Sequence, residues 1–100
     1  MTRAEDKEKA VEKFLVQSVI TLRGLCFKLK FLGFMGAPDR LVLLPPGRLY
    51  FVELKTNLGA LEDSQKIMFA RLAARGFPVQ VLHGRSEVEA FIENVLKETL

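Results

Sequence analysis

The chain has 100 residues, 49% of them apolar and 27% charged, with a net charge of +3. That length suits one domain with a single modest core, and its apolar runs all fall short of the ~18 residues needed for a membrane helix. A lone cysteine, Cys26, excludes an internal disulfide and a thiolate zinc cluster, and the mild positive charge permits a polyanionic partner without requiring one.

The N-terminal stretch is polar and has no apolar centre of the signal-peptide kind, so a cytoplasmic protein without membrane attachment is expected. Thr2 and Glu5 have capping-box spacing. Val11, Phe14, Leu15, Val19 and Leu22 fall at helical offsets, so a helix is predicted from about residue 3 to Arg23, stopped by Gly24. In the stretch 25–34, Cys26, Lys28 and Lys30 alternate with Leu25, Phe27, Leu29 and Phe31. That pattern predicts a half-buried strand with both lysines on one face. A loop with two glycines and a proline follows. Residues 40–44 and 48–54 read as strands joined by Pro45-Pro46-Gly47. A second helix carries Gln65, Met68, Phe69 and Leu72 on one stripe and stops at Gly76. A short strand over 78–82 and a last helix complete the chain. In that helix Ser86 and Glu89 form a capping box, with Val88, Ile92, Val95 and Leu96 toward the core. The order is αβββαβα, an α/β layer architecture with a small mixed sheet flanked by helices.

The hairpin brings the charged residues into question. With a three-residue loop, paired residue numbers sum to 92, and Asp39 falls opposite Glu53 on the same face, with Cβ atoms about 4.5–5.5 Å apart. Two facing carboxylates repel, and one would have to hold a proton. A hard dication such as Mg²⁺ relieves that repulsion through oxygen ligands. Lys55 shares the face of Glu53. Its ammonium can hold a water for attack on phosphorus, or help it shed a proton, while the ion neutralises charge on the phosphate. The plainer alternative is a two-residue loop. Arg40 then faces Glu53, and the pair is an ordinary cross-strand salt bridge.

The residues "GAPD" at 36–39, "FVELK" at 51–55, Gln65, and the strand "GFPVQVL" together resemble the VRR-NUC nucleases, a branch of the PD-(D/E)xK endonuclease superfamily. The likeness runs over nearly the whole chain. It implies a restriction-endonuclease-like core and a Mg²⁺-dependent endonuclease in which Mn²⁺ substitutes. By resemblance, Asp39, Glu53 and the carbonyl of Leu54 match the metal ligands, and Lys55 matches the catalytic lysine. The first-helix glutamate of the family matches Glu12, with Glu8 as the rival position. The plainer role for either is a surface glutamate paired with Lys9 or Lys13. Gln65 matches the glutamine of the following helix, where it would steady the lysine or a phosphate; the plainer role is a helix-end glutamine half in water. Glu62 stands where the family often has a capping serine, which points to Asp63 or Ser64 as the cap.

Lys28, Lys30, Arg40 and Lys66 are the candidate contacts to a nucleic-acid backbone, with Arg71 and Arg75 further along the second helix. His83 reads as a strand-end or loop residue rather than a general base. Phe31, Phe34 and Met35 form either core or a surface covered by another subunit. The resemblance also implies stand-alone, phage-type members that resolve four-way DNA junctions as dimers, so branched DNA and a homodimer are expected. Two other classes share these residues: a nicking or restriction-type nuclease of low structure selectivity, and a non-catalytic DNA-binding module on the same fold.

Overall fold

The computed structural model describes residues 4–98, with side chains from Lys7 onward; the Thr2–Glu5 capping box lies outside the described residues. Helix α1 spans Ala4–Thr21. Three strands follow, β1 (Leu25–Lys28), β2 (Arg40–Leu44) and β3 (Arg48–Lys55). Then come α2 (Asp63–Ala74), β4 (Val79–His83) and α3 (Gly84–Glu98). The sheet order is β1-β2-β3-β4. The first two pairings are antiparallel, and β4 joins β3 in parallel through α2. This is the αβββαβα order predicted from the sequence.

One face of the sheet carries the core. Leu15 and Val19 of α1 and Val88, Phe91 and Val95 of α3 pack on Val42, Leu44, Val52 and Leu82. On the opposite face α2 buries Met68 and Phe69. A T-shaped chain of rings links Phe31 to Phe51 and Phe51 to Phe77, each pair 6.4 Å apart. The hairpin is latched to α3: Arg48 Nη1 donates to the Val95 carbonyl at 2.9 Å, and the Tyr50 hydroxyl donates to Glu98 at 2.7 Å.

The end of α1 divides two jobs between neighbouring residues. The Gly24 N–H donates to Val19 and the Arg23 N–H to Ile20, which closes a Schellman turn. The left-handed position, φ 64°, belongs to Arg23. Gly24 is needed for a different reason, since a Cβ there would strike the Leu43 carbonyl and the side chains of Leu44 and Val19. Glycine tolerates positive φ, whereas arginine there is strained by about 1 kcal/mol. An Arg23→Gly protein is therefore expected to gain up to about 1 kcal/mol in stability, read as a rise in urea midpoint at unchanged slope.

Three expectations need correction. The first strand ends at Lys28, and its burial sense is the reverse of the one its apolar residues suggest. Cys26 packs against the core, whereas Leu25 and Phe27 are 56% and 47% exposed. The cause is placement: β1 is an edge strand, both α1 and α3 lie on the Cys26 side, and α2 sits at the other edge over β4. Because the strand ends at Lys28, Lys28 and Lys30 do not share a face. Lys28 lines the cleft that holds Asp39, and Lys30 lines a separate hollow beside α2. The third correction concerns α3, which begins at Gly84. Glu87 accepts from the His83 N–H at 3.0 Å, and Glu89 pairs with Arg85. This start replaces the Ser86–Glu89 box; Phe91, on the stripe of Val88 and Val95, is buried, and Leu96 is 45% exposed.

Candidate active site

The hairpin register runs Arg40↔Val52 through Leu44↔Arg48, so paired numbers sum to 92 and the loop is Pro45-Pro46-Gly47. Asp39, one residue before β2, therefore comes level with Glu53. The two acids interlock through the backbone rather than repelling freely. The Asp39 N–H donates to Glu53 Oε1 at 3.0 Å, and the Leu54 N–H donates to Asp39 Oδ2 at 3.0 Å. The Asp39 carbonyl accepts from the Leu29 N–H at 2.9 Å, which ties the exit of β1 to the same point.

Glu53 is 2% exposed, unusual for a carboxylate. Its second oxygen, Oε2, accepts from Gln65 Nε2 at 2.8 Å and lies 3.2 Å from Lys55 Nζ. Burial, and after it the negative charge of Asp39, pushes the Glu53 carboxyl above the usual range, while Lys55 and Gln65 pull it back. Asp39, by contrast, is exposed. A buried carboxylate raised by a neighbouring carboxylate, beside an open one, is an environment that a hard dication stabilises. The residues present thus fit an oxygen-bound Mg²⁺ or Mn²⁺.

Gln65 works in two directions. Its Oε1 accepts from the Glu62 N–H at 2.9 Å, closing the first turn of α2, while its amide nitrogen holds Glu53. Glu62 itself occupies the N-cap position, so neither Asp63 nor Ser64 takes that place. The Gln65 amide reaches the glutamate rather than the lysine.

The turn at 36–39 rests directly on this helix start. Gly36 has φ 85°, and a Cβ there would overlap the backbone of Ser64 and Gln65. Pro38 behind it is fully buried. A Gly36→Ala protein combines positive-φ strain with a backbone collision. It is expected to lose about 2–5 kcal/mol of stability, measured by urea unfolding.

A cleft of about 730 Å³ opens over the carboxylate pair. Glu8 and Glu12 of α1 both line it, as do Lys28 and Arg40. Arg40 is buried and ion-paired with Glu12, so the partner of that glutamate lies 28 positions away and is neither Lys9 nor Lys13. Among the described residues, no third His, Cys, Asp or Glu side chain converges with Asp39 and Glu53 on one point. Lys66 lies outside the cleft, 64% exposed and 3.9 Å from Asp63. Thr56 and Asn57 also line the cleft. Sequence reading passed over both; their only signal is polarity directly after Lys55. His83 ends β4 in register with Lys55, and its ring Nε2 lies 3.1 Å from the Gly59 carbonyl, so it braces the loop after β3.

Comparisons with known proteins bear on the fold that carries this site. The chain is 41% identical over 76 residues to a protein named "Putative nuclease p44" of Acyrthosiphon pisum secondary endosymbiont phage 1, an alignment covering 76% of this chain and 82% of that protein. A solved structure described as a VRR_NUC domain superposes with a TM-score of 0.82 at 36% identity, covering 87% of this chain and 95% of that one. The model of the VRR-NUC domain matches residues 5–86, and with that match over most of its length the chain belongs to the VRR-NUC family.

Proposed function

We propose that the protein is a Mg²⁺-dependent, structure-selective DNA endonuclease that hydrolyses phosphodiester bonds and resolves four-way junctions as a homodimer. The observation that carries the reading is the interlocked pair Asp39 and Glu53 with the Lys55 ammonium 3.2 Å from Glu53. Asp39, Glu53 and the Leu54 carbonyl would hold the ion, and Glu12, at the same cleft, would complete the set on exchanging Arg40 for it. When bound, the ion offsets charge building on the phosphate and acidifies water.

The chain's own residues do the rest. Gln65 keeps Glu53 in one rotamer, so its carboxylate is already placed before substrate arrives. Lys55 holds the attacking water in line with phosphorus. As the water oxygen bonds to phosphorus it gives up a proton to solvent, the bond to the leaving sugar oxygen breaks, and that oxygen takes a proton from solvent. Lys28 and Arg40 line the same cleft and offer cations to flanking phosphates. The uncovered face of β1 to β3 supports the dimer: Leu25, Phe27 and Leu49 stand 56%, 47% and 43% exposed on it. A two-fold pair would offer one cutting site to each of two strands.

The test is cleavage of four-way junction, flap, duplex and single-stranded DNA in Mg²⁺, Mn²⁺ or EDTA. Junction cutting in either ion, none in EDTA, and slow cutting of plain duplex are expected. Equal cutting of duplex would remove the structure selectivity, and binding without cutting would remove the enzyme. In the same experiment, sedimentation should give a dimer that Phe27→Glu converts to monomer.

A further inference from the structure

A second concavity lies apart from the cleft. It is a hollow of about 570 Å³ between the 30–34 segment and α2. Its floor is apolar, built from Phe31, Phe34 and Met68, and its rim carries Lys30, Arg71 and Arg75. No acidic residue lines it. Among the described residues none of these three cations is within salt-bridge distance of a carboxylate, whereas Arg40, Arg48, Lys55, Lys66 and Arg85 all are. The Arg71 guanidinium sits over the Phe34 ring, 5.7 Å from its centroid, and Phe34 is 58% exposed. Residue 71 is six positions along α2 from Gln65, which touches Glu53. Met68 and Arg71 therefore stand about 4.5 and 9 Å along the helix axis from the residue that holds Glu53.

Arg75 donates to the Arg71 carbonyl at 2.8 Å, so what the rim cations lack is a carboxylate, and an aromatic floor beneath them suits one ligand in particular. We propose that this hollow is a subsite for an unpaired nucleotide of a DNA strand, its base taking the place of the Arg71 guanidinium over the Phe34 ring and its flanking phosphates met by Lys30, the displaced Arg71 and Arg75. The ligand class rests on the nuclease reading above. Stacking inside a concavity requires a free π-face, which a paired base hides and an unpaired one presents. Every base has such a face, so the subsite selects strand state rather than sequence. A second copy of the chain fits less well. A two-fold contact sets a patch against itself, and the three cations would then meet their own copies. The subsite would give the enzyme a grip on the unpaired strand at a branch point, close to where the duplex enters the cleft.

Binding can be read without cleavage. Fluorescence anisotropy with 5′-fluorescein octathymidylate in EDTA is expected to show about 5- to 100-fold weaker binding for Phe34→Ala. Arg71→Ala should lower the slope of log affinity against log salt by about 0.7. Affinity for a blunt duplex should change less than about twofold in Phe34→Ala. Both side chains are exposed, so folding is not at stake. Unchanged octathymidylate affinity in Phe34→Ala overturns the subsite. So does a loss of self-association in Phe34→Ala, seen by sedimentation, with oligonucleotide binding intact. A protein that fails to cut in Mg²⁺ yet shows the expected binding losses would overturn the catalytic reading and leave the subsite standing.

Discussion

An Asp39→Asn protein is expected to fold and to bind DNA, yet to cleave it at least about 1,000-fold more slowly than the unaltered chain. Asparagine matches aspartate in shape, and its oxygen can still accept from the Leu54 N–H, so the hairpin end keeps its geometry. What disappears is the exposed negative charge, and with it an oxygen able to grip a hard dication. The same change removes the second cause of the raised Glu53 carboxyl, so Glu53 should ionise more readily and stability should not fall. Single-turnover cleavage, Mg²⁺ titration by calorimetry and a thermal melt together check this. Cleavage at the original rate would take Asp39 out of the ion's ligand set.

Lys55→Met separates turnover from ion binding. Methionine follows the path of the lysine stem without its ammonium, which lies 3.2 Å from Glu53 Oε2 with the side chain 18% exposed. Turnover is expected to drop about 100- to 1,000-fold, the scale of losing a proton-handling or charge-stabilising group. Mg²⁺ affinity should stay equal or increase, because a cation that competes for Glu53 has gone. Calorimetry on the variant and saturating single-turnover rates give the two numbers independently. Retained turnover would leave Lys55 as a structural counter-charge to the buried glutamate.

The placement of Asp39 beside Glu53 was legible because it depends on local chemistry. A Pro-Pro-Gly loop spans three residues, and one register then fixes every pair in the hairpin. The element order was equally legible, since each helix and strand has its own period and stop signal. What could not be read depends on long-range packing. Nothing around Arg40 announces that its partner is Glu12, because only the docking of α1 brings them together. The exposure of Leu25 and Phe27 follows from both flanking helices choosing the same side of the sheet, which no alternation within β1 encodes. The Lys28 and Lys30 pair separated for a similar reason: period-two reasoning holds only while the backbone stays extended, and β1 stops at Lys28. Phe91 was legible as well, since it lies three residues after Val88 and four before Val95 on the same stripe, and it is buried while Leu96 is exposed.

The loop after β3 is fastened on both sides of its tip. The His83 ring meets the Gly59 carbonyl, a turn closes from Gly59 to Thr56, and the Gln65 amide clamps Glu53 at the far end. Between these fastenings Leu58 projects with 97% of its surface free. Foreign peptide grafted at position 58 would therefore hang from an isolated hook beside the cleft, and a fluorescent reporter carried there could signal the arrival of DNA while the acids beneath it stay undisturbed.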